Sequence, residues 1–247
     1  MAIVAGLAGL FSVLTSWFVG ARLVLLARRT RQLPELLIGL ALFLTGGCWS
    51  PLVAIGRQAA ALPDPVRATL VGVGCVCGVV GMTCLAVFTW RTYRPGDAWA
   101  AAAAGAVALV LCGVFAGQSA GRGWVDFART ESGPWLLASW IGVGLYCWSN
   151  AEAWRQYGMQ RRRAALGLAD PVVTDRMRLW ALAMTAALAG SLVLALCQLL
   201  GVPIAGTAVG LALTAVVACV AAGCLWLAFV PPAAYLARVR SAAGARA

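Results

Sequence analysis

One acidic side chain stands inside an otherwise apolar segment: Glu152, in the stretch Trp148-Ser149-Asn150-Ala151-Glu152-Ala153-Trp154-Arg155. An ionisable group within a bilayer costs about 2.5–3.5 kcal/mol on insertion scales, so its retention asks for a partner or a task. Helical i+3 and i+4 steps place Ser149, Glu152, Arg155 and Gln156 on one stripe, with Tyr146, Asn150 and Trp154 on the next. A helix open to lipid would not tolerate Asn150 beside Glu152, so this face is expected to point into a bundle or a wet vestibule. Three chemistries fit: a local Glu152–Arg155 pair that snorkels and ends the helix, a polar binding or gating site, or a proton-handling carboxylate. Glu152 precedes Arg161 by nine residues, about 13 Å of helical rise, which sets it in one leaflet and not at the bilayer centre.

Arg22 is the second ionisable residue within an apolar run, about 9 Å deeper than the arginines that follow it. Its stripe runs back through Val19, Thr15 and Ser12. It either snorkels or pairs with Glu152 or Glu35, tying helix ends together. Ligand or gate candidates are therefore Glu152, Arg22, Asn150, Arg155, Trp148 and Trp154.

The rest of the composition removes other chemistries. All 19 basic residues are arginine and histidine is absent, so no Schiff-base lysine, imidazole base or histidine metal ligand exists. The nine cysteines lie within or at the ends of apolar runs, and Cys75-Val76-Cys77 lacks zinc spacing. They read as small buried hydrophobes, with neither a disulfide framework nor a metal site expected. No nucleophile has an adjacent base, so an enzyme is not expected, and no cofactor is implied.

These residues must be positioned by membrane helices. Hydrophobic residues make up 62% of the 247 and charged ones 11%, less than half the roughly 25% of a soluble domain. The net charge of +11 falls between apolar runs, which speaks against nucleic acid as a partner. Runs of about twenty apolar residues predict an all-α, single seven-helix transmembrane domain spanning 1–247, with spans at about 3–27, 34–55, 68–92, 98–117, 134–157, 177–200 and 204–231. The first run lacks a positive n-region and a cleavage site, so it is expected to be retained and not to act as a signal peptide.

Arginine placement gives orientation. One side carries Arg28, Arg29, Arg31, Arg91, Arg94, Arg155, Arg161, Arg162, Arg163, Arg176, Arg178, Arg238, Arg240 and Arg246; the other carries Arg57, Arg67, Arg122 and Arg129. Fourteen against four predicts the N-terminus outside and the C-terminus in the cytoplasm. Trp90, Tyr93 and Trp99 flank one connection and Trp124 and Trp135 another, as interfacial belts do. The outer loop places Trp124 and Phe127 among Asp126 and Arg129, as an interfacial segment would. The inner loop of residues 158–178 carries Arg161, Arg162 and Arg163, which are expected to touch anionic lipid headgroups or a cytoplasmic protein partner.

Small residues should bring the helices together, since lipid gives them no hydrophobic reason to meet. Gly74-xxx-Gly78 and Gly206-xxx-Gly210 are the clearest packing motifs. Gly46, Gly47 and Pro51 should loosen or kink the second span, Gln198 should make an interhelical hydrogen bond, and Pro231-Pro232 should end or bend the last span, with Tyr235 in the interfacial belt. Arg22 stands six residues before Arg28 and Arg155 six before Arg161, each pair followed by a proline, Pro34 or Pro171. That spacing permits two three-helix repeats, as some transporters use.

Seven helices in this orientation resemble microbial rhodopsins and G-protein-coupled receptors in topology. Pro232-Ala233-Ala234-Tyr235 resembles the P-x-x-Y ending of a receptor's seventh helix, with Pro231 where the asparagine stands. Asp175-Arg176-Met177 is similar to a receptor D-R-Y triplet but opens the sixth span instead of closing the third. The missing lysine excludes covalent retinal. The phrases "RQLPELLIGLALFL", "LGLADPVV" and "WLAFVPPAAY" resemble bacterial seven-helix membrane proteins of no assigned activity. The Ala, Arg and Gly bias without lysine points to a GC-rich bacterial genome and hence a bacterial inner membrane. The expectation is a receptor-like or sensory protein that binds a small apolar ligand in a cavity near spans one, two, five and seven, with a small transporter or a structural membrane subunit as alternatives.

Overall fold

A computed structural model describes residues 2–59, 61–120, 123–124, 133–202 and 207–244. Arg122, Asp126, Phe127, Arg129, Gly206 and Arg246, named above, lie outside them. Among the described residues there is no strand. The helices are α1 (Ala2–Thr30), α2 (Leu33–Gln58), α3 (Asp64–Tyr93), α4 (Ala98–Ala120), α5 (Gly133–Ala165), α6 (Pro171–Leu199), α7 (Ala208–Phe229) and α8 (Ala233–Gly244).

Six of these, α1 to α4, α6 and α7, are long and apolar enough to cross a membrane. The chain is a multi-pass membrane protein. The remaining long helix, α5, has 33 residues but falls short in apolarity. Its tryptophans and the run from Ser149 to Arg155 lower its hydropathy, and these are the residues that make it chemically interesting. Its flanks are filled by α3, α4 and α6.

The packing closes a ring in chain order. Each helix from α1 to α7 packs on the next, and α7 returns to α1, while α3 also reaches α5 and α8 lies on α6. Val19, Leu23, Ile38, Met82, Leu85, Leu145, Trp180 and Leu225 supply much of one buried cluster that joins α1 to α7. The outward side is apolar too. Ile3, Leu7, Phe11 and Phe18 on α1 and Val209 and Val216 on α7 are exposed, as helices solvated by lipid require.

Close approach depends on glycine. A Cβ added at Gly20 would lie 2.9 Å from the Gly39 carbonyl oxygen, so α1 and α2 cross backbone to backbone. Gly74 and Gly78 seat Val53 and Trp49 of α2, which makes this pair a packing surface within the bundle.

The loosening expected at Gly46 and Gly47 takes a definite form: Phe43–Trp49 is π-helical, and the helix resumes at Ser50. Added Cβ atoms at Gly46 and Gly47 would lie 2.2 Å from Ser16 Oγ and Trp17 Cδ1 respectively. Pro51, four residues on, has no N–H to give the Gly47 carbonyl, which accepts the Trp17 indole N–H at 2.7 Å. The kink is thus a docking face for α1.

Two expected boundaries differ. The inner loop shrinks to five residues, 166–170, because α5 runs to Ala165 and α6 begins at Pro171. Gln160, the three arginines and the alanines after them are good helix formers. Asp170 caps α6 by accepting the Val172 N–H at 2.8 Å, with Pro171 in the first turn where its missing N–H costs nothing. Arg161, Arg162 and Arg163 therefore sit on a helix end and not in a loop. Pro231-Pro232 does end α7, and α8 follows and folds back on α6.

Candidate functional site

The buried polar groups of α5 face two neighbours. Ser149 and Thr89 of α3 are 1% and 0% exposed, and their hydroxyl oxygens stand 2.8 Å apart. Thr89 donates to the Leu85 carbonyl at 2.9 Å, which leaves Ser149 to donate to Thr89. One turn further on, Glu152 Oε1 accepts from Arg94 Nε at 2.7 Å, while its Oε2 lies 3.6 Å from Arg155 Nη1. Arg94 also reaches Asp97 Oδ2 at 3.3 Å, and its guanidinium lies 5.7 Å from the Trp99 ring centre.

The Glu152 side chain is 8% exposed, against 29% for Arg94 and 53% for Arg155. The principal partner is therefore the residue 58 positions away, not the local one. Hydrogen bonding to Glu152 raises the Arg94 guanidinium above its usual value. Both carboxylate oxygens are taken by guanidinium groups, which suits a tie between α3 and α5 better than proton handling.

Asn150 and Trp154 are turned to α6 instead. Thr185 donates to Asn150 Oδ1 at 2.9 Å, sharing its hydrogen with the Ala181 carbonyl, and accepts the Trp154 indole N–H at 3.0 Å. The Trp148 ring packs 5.7 Å from that of Trp99, and its buried Nε1 has no partner among the described residues. The broad polar face foreseen on α5 is divided between two helix interfaces.

Arg22 joins neither glutamate. Its Nη1 donates to the Phe229 carbonyl at 3.0 Å. Pro231 and Pro232 interrupt the backbone beyond Phe229, so this end carbonyl lacks its regular helical donor, and a cation suits the negative end of the helix dipole. Glu35 accepts instead from the Thr30 hydroxyl.

Beneath the same end, the Tyr235 hydroxyl of α8 donates to Asp175 Oδ2, and Asp175 also pairs with Arg178 at 2.8 Å. Burial and then this carboxylate push the Tyr235 phenol above its ordinary value. Tyr235 is a link to α6 more than a belt residue.

A cavity of about 270 Å³ occupies the other half of the bundle. Val53, Val79, Met82, Leu111, Ile141 and Leu194 form its apolar wall, with Trp49, Arg57, Ser139, Tyr146, Ser191 and Gln198 also lining it. It lies among α2 to α6, so the expected place among spans one, two, five and seven is corrected. α1 and α7 are pressed against their neighbours by the Gly20–Gly39 crossing and by the Val217 contact on Gly190, which leaves the space on the opposite side.

Among the described residues Gln198 does not make the interhelical bond expected of it: its buried Oε1 has no partner there, and neither has the buried Trp49 Nε1. Along α5, Tyr146 of the cavity precedes Ser149 by three residues, about 4.5 Å of rise. Cavity and polar column are thus consecutive segments of one α3–α5 interface.

Compared with known proteins, the chain matches no protein-family model, no curated protein and no solved structure. Sequence reasoning counted Arg94 only as one of the orienting arginines and passed over Thr89 and Trp49. The signal available was the need of Glu152 for a partner stronger than the exposed Arg155. Among the described residues no group of three or more Cys, Asp or Glu gathers as a metal site would require.

Proposed function

We propose that this protein is a seven-span, receptor-like sensory protein of the bacterial inner membrane, with the N-terminus outside, that binds a small apolar molecule within its helix bundle. The observation that carries this reading is the cavity of about 270 Å³ placed directly above the Thr89–Ser149 and Arg94–Glu152 contacts of the same two helices. A ligand that wedges α3 from α5 at Met82 and Gly142 would alter the tie at their far ends. The α5–α6 hairpin, with Arg161, Arg162 and Arg163, would pass that change to anionic lipid or a cytoplasmic protein. The α5 span, though less apolar than the others, is supported by its length and by its place in the ring. A transport path between two repeats would bring Arg22 and Glu152 together, whereas each bonds elsewhere, to α7 and α3; the receptor-like reading is preferred on that ground.

Occupancy tests it. A Cβ added at Gly142 would meet only Met82 Cε, at 3.9 Å, so Gly142→Leu grows into the cavity without displacing backbone. Protein purified from native membranes is expected to carry a small organic compound, detected by mass spectrometry, that is depleted in Gly142→Leu while elution and melting stay normal. Equal content in both proteins, or none in wild type, would favour a structural subunit.

A further inference from the structure

The cavity wall is apolar but not uniformly so, and two of its residues hold complementary hydrogen-bonding atoms with nothing to bond. Trp49 Nε1 is a donor and Gln198 Oε1 an acceptor; both are buried and without partners among the described residues, and both residues line the same space. Buried polar groups are nearly always satisfied, and a membrane interior offers no bulk water to do it. Trp49 ends the π-helical segment of α2, and its ring lies on Gly78 of α3, where an added Cβ would come within 3.1 Å of the indole. That glycine lets the large ring stand against α3 at the edge of the cavity. Gln198 comes from the last turn of α6, where a leucine would serve lipid and packing equally well.

We infer that the ligand is a neutral amphiphile: an apolar body held by the wall around Met82, Leu111 and Ile141, and one group that accepts from Trp49 and donates to Gln198. A hydroxyl carries both functions on one oxygen, and a primary amide carries them on its carbonyl oxygen and its N–H. Since a cavity of about 150 Å³ holds benzene, one of about 270 Å³ takes roughly ten non-hydrogen atoms. A ten-carbon terpenoid alcohol is of this class. The inference rests on the binding reading above and adds to it the chemistry of the head group.

The test uses the full chain in lipid nanodiscs and three photoreactive probes of one carbon skeleton: the alcohol, the parent hydrocarbon and the carboxylic acid. Saturable labelling of cavity peptides by the alcohol is expected, with affinity about tenfold weaker in Gln198→Leu and in Trp49→Phe, the worth of one buried hydrogen bond. The hydrocarbon should bind more weakly than the alcohol and be unaffected by either substitution. Should one variant fail to fold, the comparison of alcohol with hydrocarbon on wild type decides alone. Equal saturable binding of alcohol and hydrocarbon would overturn the head-group inference and leave the binding reading standing. Tightest binding of the acid would overturn it too, pointing to Arg57. No saturable labelling by any probe, in a protein whose Gly142→Leu variant behaves like wild type, would overturn both.

Discussion

At the residue scale, Glu152 is defined by where its two oxygens go. The bond to Arg94 joins a buried carboxylate to a half-buried guanidinium at 2.7 Å, whereas Arg155 is exposed and lies at 3.6 Å. Solvent screens the second contact far more than the first, and exposed pairs contribute little. Removing the carboxylate charge in Glu152→Gln is expected to lower stability by about 2 kcal/mol, as loss of a hydrogen bond to a charged group does. Arg155→Gln should change it by no more than about 0.5 kcal/mol. Thermal unfolding of detergent-solubilised variants checks both, and an Arg155 effect as large as that of Glu152 would return the local pair to first place.

Among the elements, α2 shows how a sequence irregularity becomes a contact. The Gly46-Gly47 pair does more than weaken a helix, because the π-helical turn it permits presents a carbonyl to Trp17 and receives Ser16. Gly46→Val would drive a side chain onto Ser16, and a loss of about 1–3 kcal/mol is expected from overpacking this interface. Gly105 in α4 has nothing within 4 Å of an added Cβ, so Gly105→Ala should be neutral or stabilise by up to about 1 kcal/mol through helix propensity. Melting curves of the two variants compared with wild type distinguish a docking face from a merely flexible segment.

For the whole molecule, a ring in chain order, closed by α1 on α7, puts the arginine-rich helix ends together: Arg22 meets the end of α7, Arg94 meets α5, and α8 meets α6. If that end is cytoplasmic, a green fluorescent protein fused after residue 247 should fluoresce and alkaline phosphatase fused there should be inactive. The reverse pattern would invert the orientation and put the cavity on the cytoplasmic side.

Apolar runs, prolines and arginines were enough to locate most helix ends within a few residues, because hydrocarbon thickness and the cost of charge in lipid act on each segment separately; the exceptions are the end of α5, at Ala165 instead of 157, and the start of α6, at Pro171 instead of 177. They also singled out Glu152 as needing company. Local pattern could not say that its partner is Arg94, that Asn150 belongs to α6, or that the cavity lies among α2 to α6. Those depend on which glycines admit which neighbours, on the Gly20–Gly39 crossing and the seats that Gly74 and Gly78 offer to α2, contacts between residues far apart in the chain. The sequence by itself determined what must avoid water and what must avoid lipid; only tertiary packing decided which polar atoms met each other and which, as at Trp49 and Gln198, met none among the described residues.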